Sequence, residues 1–350
     1  MIELSGPTTV TLYLDAMGLF TALGLTLISR RLNARGNPGD RLFFDMCVSV
    51  MLYAVFNGTA YIFTEPEFIV YPLISVILRT VGIACLLVFS FQWLLYVDFM
   101  IYGSRDYLFR IYKKHAIPLA FALIILVINI FTGIAFEPLP GGLFDDRLLY
   151  NALVLLIGIY FAGSLVMAYR YNRQIKRLHF FHAKPMIVPF VAGLLFTVLT
   201  PFSASPMGCA VGLAYVYFSL VERWRYEDRA TGFYNHTYVD EILKMTGTGK
   251  VEYRSALLLE ARQSAGALSD MLTQLLPRDG EVIRLSENSF LLILENGDKA
   301  LLSWLDGRIG ILSGKYDSLN PDIGIGLKIT SFTREKGESS KDFIIRVAAD

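Results

Sequence analysis

The sequence contains few charged residues: 18% of its 350 residues are Asp, Glu, Lys or Arg, while 54% are hydrophobic. Soluble globular domains have about 25% charged residues, so this chain is too apolar to be an ordinary soluble domain throughout. The formal net charge is +1, and the chain has no basic tail or arginine-rich run. The charge pattern therefore gives no indication of nucleic acid as a partner.

Cysteine is also scarce. The three cysteines, Cys47, Cys85 and Cys209, all lie within apolar runs, and their spacing fits neither a zinc site nor a disulfide framework. We interpret all three as small buried residues. The sequence predicts no metal and no other cofactor.

The hydrophobic residues are distributed unevenly. Residues 1–222 form nearly continuous apolar runs with short polar breaks, whereas residues 223–350 have the mixed charge of a soluble domain. The first segment, MIELSGPTTV, contains no Lys or Arg. Because a cleaved signal peptide needs a basic n-region, we expect the first run to be retained as a membrane span. The sequence therefore predicts a membrane domain over 1–222 and a second domain over 223–350.

Seven apolar runs approach the roughly 20 residues that a helix needs to cross a bilayer. They are Thr9–Ser29, Phe43–Phe63, Tyr71–Tyr96, Ile117–Phe136, Leu149–Tyr169, Pro185–Phe202 and Met207–Val221. Thirteen Lys and Arg residues follow the first, third and fifth runs, and Arg147 alone lies in the opposite loops. Since cytoplasmic loops collect Lys and Arg, we predict an all-α bundle of seven spans in the lipid bilayer, with the N-terminus outside and the C-terminal domain in the cytoplasm.

Two charged residues lie near the outer ends of predicted spans, Asp15 in the first and Arg79 in the third. Charges within a membrane are costly and need partners, so we expect these two residues to form an intramembrane charge pair. The pair is either a structural lock or part of a ligand pocket. The outer loop EPLPGGLFDD is too short to be a binding domain, so a signal would enter between the helices or from the lipid.

The bundle is most typical of a sensor. The seventh run contains no Lys, which excludes the Schiff base of a retinal protein. Transporters tend to have internal repeats or matched broken helices, and the prolines of the sixth run have no partner pattern in the sequence. We therefore predict a receptor-like domain with an unknown ligand. A transporter with a regulatory tail remains an alternative.

The second domain alternates helices with strands. The pattern predicts helices over 237–245, 268–276, 299–312 and 341–349, strands over 255–261 and 323–330, and a hairpin between 281 and 294. Such alternation is typical of an α/β sheet with helices on its faces. The hairpin is unusual because its turn, Leu285 to Ser289, contains Asn288 but no glycine.

Four segments of this domain resemble the GGDEF domains, the diguanylate cyclases. The stretch DRATGFYNHTY resembles the family's entry motif. Its matching residues are Asp228, Thr231, Gly232 and Asn235, and its departures are Ala230 and His236. VIRLSENSF aligns with the segment that carries the Gly-Gly-Asp-Glu-Phe motif, and GIGLK and IIRVAAD resemble a later strand and the last helix. The resemblance implies a multi-pass protein of the bacterial cytoplasmic membrane that belongs to cyclic di-GMP signalling.

In this family the hairpin is the active site. Its glycines let the backbone approach GTP, its acid helps to hold magnesium, and two GTP molecules react across a dimer. The corresponding residues here are Ser286, Glu287, Asn288, Ser289 and Phe290, so only the core phenylalanine is retained. Asn and Ser offer neutral oxygens where magnesium prefers carboxylates, and Glu287 adds negative charge where a triphosphate would lie.

Other parts of the family's site are also altered. Glu260 is a weak candidate for the first metal-binding acid, but Arg262 replaces the second. Arg278 and Asp279 are adjacent, which is the wrong spacing for the product-inhibition motif. The resemblance therefore implies a degenerate, inactive domain that acts through protein partners, either a second copy of the chain or an active GGDEF protein. An active cyclase with a divergent site remains the alternative.

Overall fold

The computed structural model describes residues 4–33, 38–65, 72–102, 105–139, 143–170, 183–200, 202–228, 231–249, 251–262, 265–275, 280–295, 297, 299–319 and 324–349. The chain divides into two compact units, Met1–Leu220 and Val221–Asp350. We call them the membrane unit and the C-terminal unit. The domain boundary predicted from the sequence, between 222 and 223, lies two residues beyond this division.

The helices of the membrane unit are long and apolar. Those in the described residues are α1 (Gly6–Asn33), α2 (Pro38–Ile62), α3 (Pro72–Tyr102), α4 (Arg105–Thr132), α5 (Leu148–Arg170), α6 (Ala183–Leu199) and α7 (Ser205–Tyr226). The first five contain stretches long and apolar enough to cross a membrane. In α6 the apolar stretch is the shorter Ile187–Leu199, and α7 does not reach the same standard. The prediction of a membrane protein is confirmed in this coarser form, and the count of seven spans stays a prediction.

Helix α3 lies at the centre of the membrane unit, where it contacts α2, α4 and α5. The indole N–H of Trp93 donates to Ser164 Oγ at 3.0 Å. The Trp93 ring packs edge-on against Phe190, with 4.9 Å between centroids, and Phe190 also contacts Phe161 at 5.4 Å. These buried aromatic contacts join α3, α5 and α6, because edge-to-face rings combine large apolar area with favourable electrostatics.

A short hairpin connects α4 and α5. Strand β1 (Phe136–Leu139) pairs antiparallel with β2 (Leu143–Asp146). The predicted fourth span therefore extended four residues too far, since α4 ends at Thr132. Gly133 follows the helix with a φ of +61°, a conformation that glycine adopts readily at helix ends, and its N–H donates to Asn129 O at 2.9 Å.

The C-terminal unit is built on a five-stranded sheet. Its elements are β3 (Tyr234–Asn235), α8 (Thr237–Gly247), β4 (Ser255–Glu260), α9 (Ala265–Leu275), β5 (Gly280–Arg284), β6 (Ser289–Leu294), α10 (Lys299–Leu319), β7 (Lys328–Thr333) and α11 (Ser340–Ala349). The strand order is β3-β5-β6-β4-β7, and the last four strands pair antiparallel. From β4 to β7 the chain runs β-α-β-β-α-β, the split βαβ arrangement of ferredoxin-like folds. The predicted small α/β part is confirmed.

Both faces of the sheet are covered by apolar side chains, because successive strand residues point to opposite faces. On one face Leu257, Phe290 and Leu292 form a core with Leu268 of α9 and Leu305 of α10. The alternate strand residues, such as Ala256, Leu258, Ile283, Leu291 and Ile293, are also buried. Helices α8 and α11, which contact each other, contribute further buried residues: Tyr238, Ile242, Met245, Phe343, Ile344 and Val347.

The last strand begins later than the sequence pattern predicts. The prediction placed it over 323–330, whereas β7 covers Lys328–Thr333. Gly326 has a φ of +56°, which is incompatible with a regular strand, and the carbonyl of Ile325 accepts a 2.9 Å hydrogen bond from Arg262 N. The apolar residues near Ile325 therefore belong to a connection that packs into the core before β7 starts.

Candidate functional site

The hairpin turn between β5 and β6 is closed by Arg284, the last residue of β5. Its Nε donates to the carbonyl of Ser286 at 3.1 Å, and its Nη2 donates to the carbonyl of Glu287 at 3.1 Å. The backbone of Leu285 adds a 2.9 Å bond to Ser289 O. The side chains of Ser286, Glu287 and Asn288 are exposed. The turn is therefore stabilised by the guanidinium of the strand residue that precedes it.

Arg284 also connects the turn to the entry motif. Its Nη1 donates to Asp228 Oδ2 at 2.9 Å, and the two side chains are only 20% and 22% exposed. The same Oδ2 accepts hydrogen bonds from Thr231 N at 3.0 Å and Thr231 Oγ1 at 2.7 Å. Burial alone would raise the pKa of Asp228, but the bonds from Thr231 and Arg284 hold this pKa below its ordinary value. Asp228 is therefore held in its ionised form, and its Oδ2 accepts three hydrogen bonds.

The other matching residues of the entry motif also make internal bonds. Gly232 adopts a φ of +76° and donates from its N–H to Asp228 O at 2.8 Å. Asn235 donates from Nδ2 to the carbonyl of Arg225 at 2.9 Å and accepts from Thr237 Oγ1 at 2.6 Å. The motif thus ties the last turn of α7 to β3 and to the start of α8. Each matching side chain has a structural partner within the C-terminal unit.

The candidate metal ligand Glu260 is paired with a cation. It ends β4 and lies opposite Ser289 of β6 and Lys328 of β7. Lys328 Nζ donates to Glu260 Oε2 at 2.7 Å, with the two side chains 72% and 39% exposed. Among the described residues no group of three or more His, Cys, Asp or Glu side chains is arranged to hold a metal ion. The carboxylate of Glu260 is therefore offset by Lys328 rather than held ready for a metal ion.

Two further positions singled out in the sequence, Arg278 and Asp279, lie outside the described residues. They are the two residues that the product-inhibition motif would have at a different spacing.

The residues aligned with the Gly-Gly-Asp-Glu-Phe motif contribute to the sheet. Phe290 is fully buried, as expected of the core residue at the end of the motif. Ser289 pairs with Glu260 in the sheet, and Asn288 contributes its carbonyl to a 2.9 Å bond from Ala261 N. The motif residues therefore support the sheet.

The expected charge pair in the membrane unit is replaced by two separate contacts. Asp15 Oδ2 accepts a 2.8 Å hydrogen bond from Asn57 Nδ2 of α2, and its Oδ1 has no partner among the described residues. Arg79 instead donates from Nη2 to Asp146 Oδ1 of β2 at 2.7 Å. The pairing of Asp15 with Arg79 was therefore wrong. The β1–β2 hairpin folds back onto α3 and brings its own carboxylate, Asp146, to the guanidinium.

Arg79 is enclosed by aromatic rings as well. Its guanidinium carbon lies 3.7 Å from the centroid of Phe144, and farther, 5.1 and 5.2 Å, from those of Phe136 and Tyr150. Cation–π attraction of this kind strengthens when the cation is desolvated, and the Arg79 side chain is 7% exposed. Burial raises the pKa of Asp146, although Arg79 opposes this shift. This cluster fastens the hairpin to the bundle and fits the lock interpretation of Arg79.

A small polar cavity adjoins this lock. Its volume is about 20 Å³, room for roughly one water molecule. Five hydroxyl-bearing side chains of its lining are Tyr53, Tyr61, Tyr150, Thr197 and Ser205. Ser203 also lines it, is 1% exposed, and its Oγ has no hydrogen-bond partner among the described residues. An orphaned buried hydroxyl beside a polar cavity is a setting that an ordered water or a small polar ligand would satisfy.

The residues that pair with the predicted site residues, among them Arg284 and Asp146, were not predicted from the sequence. Arg284 stands directly before the turn, and Asp146 was counted only as part of an acidic loop. Lys328 and Asn57 carried no signal of their own. Of these residues only the position of Arg284 could have been predicted, because period-two alternation places it opposite Phe290 in the hairpin.

No family model matches the chain, and no curated protein matches it. Among solved structures, the Vibrio cholerae LapD S helix-GGDEF-EAL fragment bound to c-di-GMP is 19% identical, with a TM-score of 0.28. That match covers 36% of this chain and only a third, 33%, of the LapD chain. Diguanylate cyclase SiaD, in complex with its activator SiaC from Pseudomonas aeruginosa, is 12% identical over 73% of this chain and 90% of its own, with a TM-score of 0.32. TM-scores this low do not establish a common overall fold.

Proposed function

We propose that this protein is a membrane-bound signalling protein with an inactive GGDEF-type domain that acts through protein partners. The proposal includes seven spans, an outside N-terminus, a cytoplasmic C-terminal unit and a place in the cyclic di-GMP signalling of a bacterial inner membrane. It is supported by the entry-motif residues Asp228, Thr231, Gly232 and Asn235 and by the position of the hairpin in the split βαβ sheet. The absence of catalytic activity is inferred from the contacts of the hairpin turn between β5 and β6.

The proposal rests mainly on the hydrogen bonds that Arg284 makes. Its guanidinium binds the turn carbonyls of Ser286 and Glu287 and the carboxylate of Asp228 at once. A nucleotide phosphate could therefore use this guanidinium as a donor only by breaking its bonds to these three acceptors. Glu287 would add like-charge repulsion. The turn is thus organised to hold its own shape, which favours a scaffold over a catalytic loop.

The metal chemistry of the family also lacks its ligands in the described residues. Phosphoryl transfer depends on metal ions that offset the charge on the phosphates. Here the carboxylate of Glu260 is paired with Lys328, and the turn offers Asn288 and Ser289 in place of carboxylates. We therefore assign no catalytic role to these residues.

The signal is proposed to enter through the membrane unit, because the outer hairpin is too small to be a binding domain of its own. The polar cavity beside Arg79 is the best-supported entry point, since Ser203 leaves a buried hydroxyl unsatisfied there. Output would depend on the last turn of α7. Asn235 binds the Arg225 carbonyl, and Tyr226 contacts Tyr238, so a movement of that turn would be transmitted to β3 and α8.

The first experiment is an activity and binding assay on the full chain in lipid nanodiscs. GTP and magnesium would be added, with an active diguanylate cyclase in the same buffer as positive control. We expect no cyclic di-GMP and no GTP binding at micromolar concentrations. The variant Arg284→Ala is the matched comparison: because it removes a cation and leaves Asp228 and Glu287 in place, we expect no GTP binding by this variant either. Turnover by the unmodified chain would refute the proposal.

A second experiment tests the partnership. The rate of an active diguanylate cyclase would be measured with increasing amounts of the full chain in nanodiscs and with empty nanodiscs as control. We expect a saturable change in the cyclase rate. An unchanged rate over the whole titration would contradict action through GGDEF partners.

A further inference from the structure

Three polar side chains of α1 are buried on one face of the helix. Thr8 and Thr11 are 0% exposed and Asp15 is 3% exposed, although α1 contains a stretch apolar enough to cross a membrane. Residues three and four apart are neighbours on a helix surface, so these side chains follow one another along a single face. Polar and ionisable residues within membrane helices usually face the bundle interior, where they pair or mark the path of an ion. This face of α1 therefore indicates an internal polar site.

Asp15 has only part of the environment that a buried carboxylate needs. Its Oδ2 accepts the 2.8 Å hydrogen bond from Asn57 Nδ2, whereas its Oδ1 has no partner among the described residues. Arg79, the cation expected beside it, binds Asp146 at 2.7 Å instead. A buried charge is costly unless it is both paired and hydrogen-bonded. Asp15 therefore needs a positive charge that its described neighbours do not supply.

Ser203 provides a second unsatisfied oxygen on the same side of the bundle. Its N–H donates to Thr11 Oγ1 at 3.1 Å, which places Ser203 one helical turn along α1 from Asp15. Its buried Oγ has no hydrogen-bond partner among the described residues. A hydroxyl donates readily to a carboxylate, so the two unsatisfied oxygens would bond if they were in contact. A third atom is therefore needed to join them.

The polar cavity described above offers room for that atom. Ser203 and Asn57 both line it, together with Tyr53 and Ser205. Its volume of about 20 Å³ admits one water molecule or one small ion, whereas sites for drug-sized ligands have several hundred Å³. The available ligands are mostly oxygen atoms, which hard cations prefer. Magnesium usually keeps several of its waters, and this cavity has no room for them.

We propose that one sodium-sized monovalent cation binds between α1, α2 and the connection from α6 to α7, with Asp15 Oδ1 and Ser203 Oγ among its ligands. Asp15, Arg79 and Asp146 are two carboxylates and one guanidinium, which leaves one negative charge unbalanced in this region. A single monovalent cation balances it, whereas a water molecule satisfies the hydrogen bonds and leaves the charge. The inference rests on the proposed function in that it names a ligand for the membrane unit, but binding requires no output from the C-terminal unit.

Thermal unfolding of the full chain in nanodiscs tests the site. NaCl would be exchanged for choline chloride at constant ionic strength, because choline is too large for the cavity. A ligand that binds only the folded state stabilises it by mass action, so Tm should rise saturably with sodium, by about 3 °C or more. A Tm that does not change with sodium would overturn the proposal.

Substitutions locate the effect. Asp15→Asn should abolish the sodium dependence, and it should raise Tm in choline chloride because it removes the unbalanced charge. Ser203→Ala should weaken the apparent sodium affinity at least fivefold. Ser90→Ala, at a buried serine that bonds to Leu87 O, and Asp98→Asn, at another buried carboxyl without a partner, are the matched controls and should leave it unchanged. Loss of the dependence in Asp98→Asn alone would assign the cation to a different site and refute the proposal.

Direct binding of radioactive ²²Na⁺ to the full chain separates sodium from a proton. We expect saturable binding of about one ion per chain that Asp15→Asn weakens at least tenfold. A Tm that depends on pH through Asp15, without ²²Na⁺ binding, would show that a proton occupies the site and would overturn the proposal. These measurements use neither GTP nor a cyclase, so a failure of the cation site is distinct from a failure of the proposed function.

Discussion

The bond between Asp228 and Arg284 gives the sharpest test of how the hairpin is held. Asp228→Asn removes the charge and keeps the size, and Arg284→Met removes the guanidinium and keeps most of the apolar stem. Both side chains are about four-fifths buried, and Asp228 Oδ2 is shared by Arg284 and Thr231. Each single variant should therefore destabilise the C-terminal unit by weakening the connection between entry motif and turn.

The magnitude follows from the number and exposure of the bonds. Hydrogen bonds to charged groups contribute about 1.5–3 kcal/mol when buried, and exposed ion pairs contribute less than about 1 kcal/mol. Because this pair lies between these limits, we expect about 1–2 kcal/mol for Asp228→Asn. Arg284→Met should cost a similar amount, since the turn carbonyls that it leaves are exposed and regain water. The double variant should cost about 1 kcal/mol less than the sum, because both changes remove the same bond.

The effect should depend on pH in one direction. The pKa of Asp228 in the folded protein lies below its ordinary value of 3.8. A carboxylate with a depressed pKa contributes stability above its ordinary pKa and loses it as the pH falls through the folded value. The cost of Asp228→Asn should therefore be complete at pH 7 and shrink as the pH is lowered below about 4.

Hydrogen-exchange mass spectrometry of the full chain in nanodiscs would measure this effect locally, on peptides that cover 228–238 and 280–294. Lys328→Met is the matched control, because its pair with Glu260 is at the same sheet edge but exposed, so it should change protection by less than about 0.5 kcal/mol. Additive costs in the double variant, or equal costs for Lys328→Met, would show that Arg284 does not link the turn to Asp228.

Other substitutions test the remaining structural claims. Arg79→Met should lower the unfolding free energy of the membrane unit by about 2 kcal/mol, because it leaves the half-buried Asp146 unpaired. Arg147→Met, which breaks a more exposed ion pair near the same hairpin, should lower it by less than about 1 kcal/mol. Reversible unfolding in mixed micelles would measure both values. Because burial raises the pKa of Asp146, the stability of the native chain relative to Asp146→Asn should increase as the pH falls from 7 toward 4, and a decrease would contradict the assigned direction. Gly326→Ala should lower the unfolding free energy of the C-terminal unit by about 1–2 kcal/mol, since the φ of Gly326 is +56° and the new Cβ would lie 3.2 Å from Arg262 Cβ. Gly266→Ala in α9 should instead stabilise the unit slightly. Equal effects of the two variants in urea unfolding would refute the conformational argument.

The sheet of the C-terminal unit was largely predictable because its signals are local. The alternation around Val282 and Phe290 placed the hairpin, and the short apolar run from Ser255 placed β4. The start of β7 was not predictable in the same way. The residues near Ile325 are as apolar as a strand, and only the left-handed conformation of Gly326 and the bond from Arg262 separate them from it.

The sites were less predictable, because they depend on which distant side chains meet. Asp15 and Arg79 have the right signs and similar depths, so pairing them was reasonable from sequence alone. The β1–β2 hairpin brings Asp146 within 2.7 Å of Arg79, and Asp15 binds Asn57 instead. A contact across 67 residues depends on how the hairpin folds against α3, and no periodicity in the sequence records that position.

The residues that match the GGDEF motifs and those that differ from them have different surroundings in the structure. Asp228, Thr231, Gly232, Asn235 and Phe290 are retained, and each has a bond or a buried contact that stabilises the C-terminal unit by itself. The positions that differ, Ser286 to Ser289, have side chains that point mostly to solvent, where a substitution costs little folding free energy. A domain that no longer needed to bind a nucleotide would be free to change these residues and would have to keep the first group. Under the proposed function the turn has no ligand to admit, and Arg284 is free to bind its carbonyls.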